Sequence, residues 1–238
     1  GRSATATLSF PLIFTMSCGT LRNSKKETTE RTKRAIKALM EKGIHVVISS
    51  GRYRKYTENV STEAFASSYI ISSNGGEIFD YKNKEIIYEN NLDPQTIIYL
   101  YNIAKKYKLQ FVMNSRDNRV ANYPSNNEDI MLEQPIEEFV RNNTSVQCVF
   151  VGKDLEKIKK AKCEVEKKNG LKIINLSKAL LQENIQTEAS LFFDVALENT
   201  SKGNAIKRLC KYLKIDLKDS VAIGDSYNDL SMFKVVRT

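Results

Sequence analysis

Two acids with the spacing of a metal or phosphate site lie close to the end of the chain. Asp225 and Asp229 are four residues apart and follow the apolar run 221–223 and Gly224. This pattern predicts a buried strand that leads into a helix. Parallel sheets usually hold their ligands at the carboxyl ends of the strands, and carboxylates beside a phosphate are an ordinary Mg²⁺ site. A simple helix N-cap would show the same pair of acids. Other residues therefore have to distinguish a ligand site from a structural N-cap.

A strand, a helix and a second strand near the start of the chain form the unit that would position these acids. Residues 10–15 and 44–48 are compact apolar runs, and residues 28–42 place their apolar side chains on one helical face. Short joints between them predict the βαβ unit of a parallel sheet. Ser50 and Asn74 lie in polar turns that follow the second strand and a third apolar run.

The middle of the chain has a different pattern. Between residues 80 and 186 predicted hairpins alternate with helices, which indicates a separate α+β domain inserted into the first one. We therefore predict a discontinuous core domain, residues 1–79 and 187–238, and an inserted domain, residues 80–186. The strand predicted at 191–196 and the helix predicted at 203–213 are assigned to the core domain.

The amino-acid composition restricts the classes of binding partner and the cellular compartments that are expected. The net charge of +9 favours anionic partners, namely phosphorylated metabolites, nucleic acid or acidic protein. Eight lysines between residues 153 and 172 alternate with four acids, which favours a solvated helix face over a nucleic-acid surface. No apolar run is long enough to span a membrane. The four cysteines form no CxxC pair, so a reducing compartment is expected. The cytoplasm fits this expectation. A mitochondrial interior fits it too if the first nine residues, which contain no acid, are the remnant of a targeting segment.

Five short motifs, in order along essentially the whole chain, resemble those of the haloacid dehalogenase-like (HAD) phosphohydrolases, specifically the Cof-type sugar-phosphatase branch. The motifs are Phe14-Thr15 with Gly19-Thr20, Val47-Ile48-Ser49-Ser50-Gly51-Arg52, Ser73-Asn74-Gly75-Gly76, Ser201-Lys202-Gly203-Asn204-Ala205 and Gly224-Asp225-Ser226-Tyr227-Asn228-Asp229. The resemblance implies an α/β fold, with a Rossmann-like parallel-sheet core and an inserted α+β (C2-type) cap domain. It also implies Mg²⁺-dependent hydrolysis of a phosphorylated small molecule.

The resemblance further implies a role for each matching position. The residues implied to bind phosphate are Ser50, Lys202 and Asn228. Those implied to line the substrate pocket are Arg52 and Asn74. Those implied to bind the metal are Asp225 and Asp229. The simpler interpretation of these residue types is structural, because serine and asparagine are common in turns and a lysine at a helix start is usually solvated.

The first motif departs from the family pattern. The family has Asp-x-Asp-Gly-Thr, in which the first aspartate attacks phosphorus and the second transfers the proton of the leaving group. This chain has Met16 and Cys18 at those positions. A thioether carries no nucleophilic oxygen and binds a hard cation poorly, so we expect the ordinary reaction to fail and the Mg²⁺ site to be weakened.

Cys18 is not expected to replace the missing nucleophile. It occupies the acid/base position, no Cys-x5-Arg phosphate loop surrounds it, and the single histidine, His45, lies inside a predicted strand. A thiolate nucleophile would need a lowered pKa that nothing in the sequence provides.

Three functions follow. The first is a catalytically inactive or severely impaired HAD homologue that still binds phosphorylated small molecules. The second is a structural or interaction subunit of a larger assembly, with RNA as one candidate component. A protein partner would bind at an open sheet edge, since only six residues follow Met232 where family members continue with another strand. The third is an active Mg²⁺-dependent phosphomonoester hydrolase.

Overall fold

The computed structural model describes residues 11–17, 19–123, 129–181 and 190–236. The acid-free first nine residues and Cys18 lie outside these residues. A first sheet with its helices contains β1 (Leu12–Met16), α1 (Glu30–Glu41), β2 (His45–Ser49), α2 (Arg54–Glu63), β3 (Tyr69–Ser72), β4 (Glu77–Asp80), β5 (Glu85–Glu89), α7 (Lys202–Leu213), β12 (Ser220–Ile223) and α8 (Leu230–Phe233). A second contains α3 (Pro94–Lys106), β6 (Gln110–Ser115), β7 (Asn118–Ala121), β8 (Asp129–Met131), α4 (Ile136–Asn142), β9 (Gln147–Gly152), α5 (Leu155–Glu166), β10 (Leu171–Leu176), α6 (Lys178–Leu181) and β11 (Leu191–Leu197).

The first sheet confirms the predicted α/β fold. Its strand order is β12-β1-β2-β3-β4-β5, with parallel pairing from β12 to β3 and antiparallel pairing from β3 to β5. Helix α1 begins at the N-cap Thr29, whose side chain accepts from Thr32 N, and it buries Ile36 against this sheet. Helix α7 covers the opposite face, where Ile206 and Leu209 join the core around Phe14. Two covered faces explain why the strands are apolar throughout.

The second sheet has the order β10-β11-β9-β6-β7-β8 and one apolar face. Phe150 lies at the centre of that face, 5.3 Å from the ring of Phe111 and stacked at 4.6 Å on Phe193. Helices α3 and α5 cover it. The other face is polar, because the register places Gln147 opposite Asn114 on neighbouring strands. An amphipathic sheet of this kind needs a polar partner or solvent on its second face.

Two details of the predicted domain division are wrong. Strand β11 pairs with β9 and β10 in the second sheet, although the sequence assigned it to the core domain. Strand β5 pairs with β4 in the first sheet, although the prediction placed residues beyond 79 in the inserted domain. An apolar run predicts a strand but not its sheet, because partner choice depends on contacts far away in sequence. The second predicted boundary, 186/187, lies outside the described residues.

Along the part of the chain that the structure describes, none of the helices combines the length and the apolar character that crossing a membrane requires.

Removing the central ring of the second sheet should destabilise the protein. Phe150→Ala leaves a cavity between Phe111 and Phe193, and we expect a loss of about 3–5 kcal/mol in the free energy of unfolding. Urea denaturation followed by circular dichroism measures it. Ile130→Ala, at a side chain that is 51% exposed, is the control and should change stability by less than about 0.5 kcal/mol. Equal midpoints for the two variants would contradict this description of the core.

Candidate functional site

The predicted site residues cluster at one edge of the first sheet. Strand β1 ends at Met16 beside Ser49, the last residue of β2. In the same register β12 pairs with β1, with Thr15 opposite Ile223. Parallel strands end at a common edge, so the turns that carry Ser50 and Asp225 begin there side by side.

Ser50 has a hydroxyl partner that the sequence did not indicate. Its Oγ lies 3.0 Å from Ser17 Oγ and accepts from Arg52 N at 3.1 Å. Both serine residues are buried. Ser17 was missed because it stands between the two motif positions 16 and 18, and no spacing rule marks it. The two hydroxyls form one small donor and acceptor group at the end of β1 and β2.

Lys202 and Asp229 form a fully buried ion pair. Lys202 is the first residue of α7, which begins at the N-cap Ser201. Its Nζ donates to Asp229 Oδ1 at 2.6 Å, and both side chains have no solvent exposure. Helix α7 approaches α8 very closely, since a Cβ at Gly203 would lie 2.1 Å from Ser231 O. The ammonium group is therefore fixed in position rather than solvated.

The second oxygen of Asp229 holds the preceding loop. Asp229 Oδ2 accepts from Asp225 N at 3.2 Å and from Ser226 N at 2.9 Å. Gly224 allows this contact, because a Cβ there would lie 2.8 Å from the carboxylate. Both oxygens of Asp229 are thus used inside the protein, and its role is to position the loop that carries Asp225.

Asp225 presents an exposed carboxylate above β1. Thr20 Oγ1 donates to Asp225 Oδ1 at 2.9 Å. Gly19 lies directly beneath at φ +83°, and a Cβ there would come within 2.3 Å of Oδ2. The glycine is needed both for its backbone conformation and for the close approach of the acid.

These residues do not fit a Mg²⁺ site. Mg²⁺ needs oxygen ligands in octahedral geometry, and the side chain of Met16 supplies none. Asp229 has no oxygen to spare, which leaves Asp225 as a single carboxylate. Over residues 11–17, 19–123, 129–181 and 190–236, no group of three histidine, cysteine, aspartate or glutamate side chains could hold a metal ion.

Asn74 connects the two sheets. It has a left-handed backbone, with φ 57°, in a buried turn after β3. Its Nδ2 donates to Gln147 Oε1 at 3.0 Å and to Asp194 Oδ2 at 3.2 Å, both on the second sheet. Its Oδ1 accepts from Asn228 Nδ2 at 2.8 Å. Both polar atoms of the Asn74 amide are therefore hydrogen-bonded, and one of them binds Asn228.

Arg52, the other predicted pocket residue, is held beside α2. Its guanidinium lies 4.5 Å from the centre of the Tyr56 ring, which is a cation–π contact. It is also one of two arginines, with Arg119, whose charge acts on Asp194.

Asp194 is a buried acid that the sequence analysis did not single out. Burial raises its pKa to about 7, although hydrogen bonds from Asn175 and Asn74 and the charges of Arg119 and Arg52 act in the opposite direction. A signal existed, because Asp194 interrupts the otherwise apolar run of β11. It was missed because that strand was assigned to the wrong sheet.

Comparison with known proteins decides the family. The sequence profile of the haloacid dehalogenase-like hydrolases matches residues 18–238. The chain belongs to this family.

Named HAD relatives and a solved HAD structure agree with this assignment. The chain is 27% identical over 219 residues to the 5-amino-6-(5-phospho-D-ribitylamino)uracil phosphatase YcsE of Bacillus subtilis, covering 91% of this chain and 77% of that protein. It is 24% identical over 250 residues to the phosphatase YwpJ of the same organism, covering 91% and 83%. A haloacid dehalogenase-like hydrolase from Bacteroides thetaiotaomicron superposes with a TM-score of 0.79 at 25% identity, covering 94% of this chain and 85% of that one.

The buried ion pair of this HAD protein is open to a direct test. Asp229→Leu leaves the Lys202 ammonium buried without its partner, and we expect a loss of about 3–5 kcal/mol in the free energy of unfolding. The double variant Lys202→Met with Asp229→Leu should recover part of this loss, because no charge is then left buried, although Asp225 N and Ser226 N still lack their acceptor. Chemical denaturation of all three proteins measures the coupling.

The exposed pair of Lys162 and Glu166 on α5 provides the control. Lys162→Met should change stability by less than about 1 kcal/mol, since solvent screens that pair. A single Asp229→Leu variant as stable as the Lys162→Met variant would show that the buried pair is not needed.

Proposed function

We propose that this HAD-like chain binds phosphorylated small molecules at the carboxyl edge of its first sheet and does not hydrolyse them. The observation that carries the proposal is the end of β1, where Met16 is buried beside Ser49. A phosphatase of this family needs an aspartate carboxylate at that position, and a methionine side chain offers no oxygen that could attack phosphorus.

Among the residues that the structure describes, no side chain next to Met16 supplies a replacement nucleophile with its base. Ser17 Oγ contacts Ser50 Oγ, and a hydroxyl needs an adjacent general base to attack phosphorus. His45 begins β2, four residues before the strand ends at Ser49. At about 3.3 Å per residue it lies roughly 13 Å from the site edge, too far to accept the proton.

Binding is supported by the groups that remain. The hydroxyls of Ser50 and Ser17 and the ammonium group of Lys202 are the kinds of donors that hold phosphoryl oxygens. All three are buried, so a ligand reaches them only when the residues that cover them move. Lys202 is fixed by Asp229, so little side-chain entropy would be lost when an anion binds. The net charge of +9 also attracts anions to the surface. In this proposal the second sheet acts as the cap over the ligand. The chain enters this sheet after β5 and returns to the first sheet after β11.

The active phosphatase is the second candidate. It is favoured by the names of relatives such as the phosphatase YwpJ. A Mg²⁺-dependent reaction would have to proceed with Asp225 as the one exposed carboxylate among the described residues of the site.

The interaction subunit receives less support. Two of the four lysines on α5 pair with neighbouring acids, Lys157 with Asp154 at 3.4 Å and Lys162 with Glu166 at 2.6 Å, so part of the positive charge is compensated locally. A protein partner at the edge strand β12, where Ile223 is 48% exposed, stays a prediction.

Hydrolysis of 4-nitrophenyl phosphate with Mg²⁺ distinguishes the two leading candidates. We expect the wild type to be no faster than its Ser50→Ala variant, because the nucleophile is missing in both. Met16→Asp combined with Cys18→Asp should raise the rate at least about a hundredfold, since the nucleophile and the acid/base are then restored. Wild-type turnover well above Ser50→Ala would establish the active phosphatase instead.

Phosphate binding is the second test of the proposal. Equilibrium dialysis with inorganic phosphate should show saturable binding that Lys202→Met weakens at least about tenfold, because a charge-assisted contact is lost. Lys207→Met, at an exposed position of the same helix, is the matched control and should bind like the wild type. Ser50→Ala provides an independent variant if Lys202→Met does not fold. Equal affinity in all four proteins would contradict a site at this edge.

A further inference from the structure

Three side chains form a continuous hydrogen-bonded path from the second sheet to the edge of the first. Asn74 stands in the middle, 3.2 Å from Asp194 Oδ2 through its Nδ2 and 2.8 Å from Asn228 Nδ2 through its Oδ1. Asp194 and Asn74 are almost completely buried, with exposures of 4% and 2%. The path therefore joins a buried acid to a residue of the loop that carries Asp225 and Asp229.

The ionised acid fixes the direction of every hydrogen bond along this path. A carboxylate only accepts, so Asn74 must turn its Nδ2 toward Asp194 and its Oδ1 toward Asn228. Asn228 must then turn its own Nδ2 to Asn74. Its Oδ1 is left buried without a hydrogen-bond partner in the described structure. A carbonyl oxygen is the wrong group for a phosphoryl oxygen, because both are acceptors.

A neutral Asp194 allows the opposite direction. Its O–H donates to the Oδ1 of Asn74, which turns Nδ2 toward Asn228 Oδ1 and frees Asn228 Nδ2 as a donor. Gln147 has to turn as well, so that its Nε2 donates to Asn74 Oδ1. Its Oε1 then replaces Nε2 opposite Gly51 O, at a contact that is long, 3.4 Å. Asn175 Nδ2, 3.1 Å from the same Asp194 Oδ2, then donates to the hydroxyl oxygen, which can still accept.

We propose that Asp194 is a positioning residue for anion binding, whose proton sets, through Asn74, whether Asn228 offers a donor or an acceptor to the ligand. The proposal rests on the proposed function, because Asn228 has to border the bound phosphoryl group. The proton comes from solvent and no covalent bond changes. The consequence is a site that binds dianions more tightly when Asp194 is neutral.

The surroundings of Asp194 bring both states within reach near neutral pH. The groups that face it are Asn175 from β10, Asn74 from the turn after β3, Arg119 from β7 and Arg52 from the turn after β2. Burial raises the pKa of Asp194 to about 7, and the hydrogen bonds from Asn175 and Asn74, followed by the charges of the two guanidinium groups, prevent a larger rise. Arg119 is itself partly compensated, since its Nε lies 2.9 Å from Asp129 Oδ1.

Nuclear magnetic resonance of the side-chain amides tests the reversal without any ligand. We expect the Nδ2 resonances of Asn74 and Asn228 to shift with pH at one shared midpoint, about 7, which is also the midpoint of the Asp194 carboxyl carbon. Asp194→Asn should abolish both shifts. Asp80→Asn, which replaces a buried acid of β4, should leave them unchanged. Amide resonances that do not titrate, or that still titrate in Asp194→Asn, would overturn the proposal.

Sulfate binding, measured by calorimetry, tests the consequence, because sulfate keeps its charge over this pH range and phosphate does not. Wild-type affinity should fall about tenfold between roughly pH 6 and pH 8, the size of one hydrogen bond to a charged group. Asp194→Asn carries a permanent donor and should stay at the tight limit within about twofold, while Asp80→Asn should follow the wild type.

The outcomes separate the two claims. Equal slopes in the wild type and Asp194→Asn would overturn the positioning role and leave the anion site intact. If the amides reverse but sulfate binds at neither pH, the proposed function fails and the reversal stands.

Discussion

The ion pair between Lys202 and Asp229 is the constraint on which the rest of the site depends. Two charges without solvent exposure are stable only if each satisfies the other, because the desolvation of either one alone would cost several kcal/mol. The pair joins the start of α7 to the loop after β12, and the second oxygen of Asp229 fixes the backbone at Asp225. Hydrophobic side chains could hold the start of α7 against the loop after β12 without the free-energy cost of desolvating two charges. What the ion pair adds beyond stability is therefore a polar group at the site.

The site that this pair supports is asymmetric in its chemistry. The groups that would hold an anion in the proposed function are present, whereas Met16 at the end of β1 has no oxygen that could attack phosphorus. The two sheets meet at the Ser73–Asn74 turn, where two successive non-glycine residues have positive φ. Contacts from both sheets maintain this unfavourable backbone, as expected where a structure positions functional groups.

The sequence predicted most of the first sheet, because its strands are apolar throughout and its helices amphipathic. β1, α1 and β2 lie within one or two residues of their predicted ranges. The sheet membership of β11 could not be predicted from local sequence, because the run Leu191–Leu197 would suit either sheet. That error hid Asp194, whose role depends on contacts with Asn74 and Asn175 across 120 and 19 residues of sequence. Motif spacing predicted where Asn228 lies, but not whether its amide offers a donor or an acceptor to a ligand. That choice depends on the charge of Asp194, which is distant in sequence.

One sample can report both binding and turnover by ³¹P nuclear magnetic resonance of a phosphomonoester such as glucose 6-phosphate, mixed with the protein and Mg²⁺. The account predicts that the ester signal broadens in proportion to the protein concentration and that no inorganic phosphate signal grows. Growth of inorganic phosphate at a rate proportional to protein would contradict the central claim that the edge of this sheet binds the phosphoryl group without breaking its ester bond.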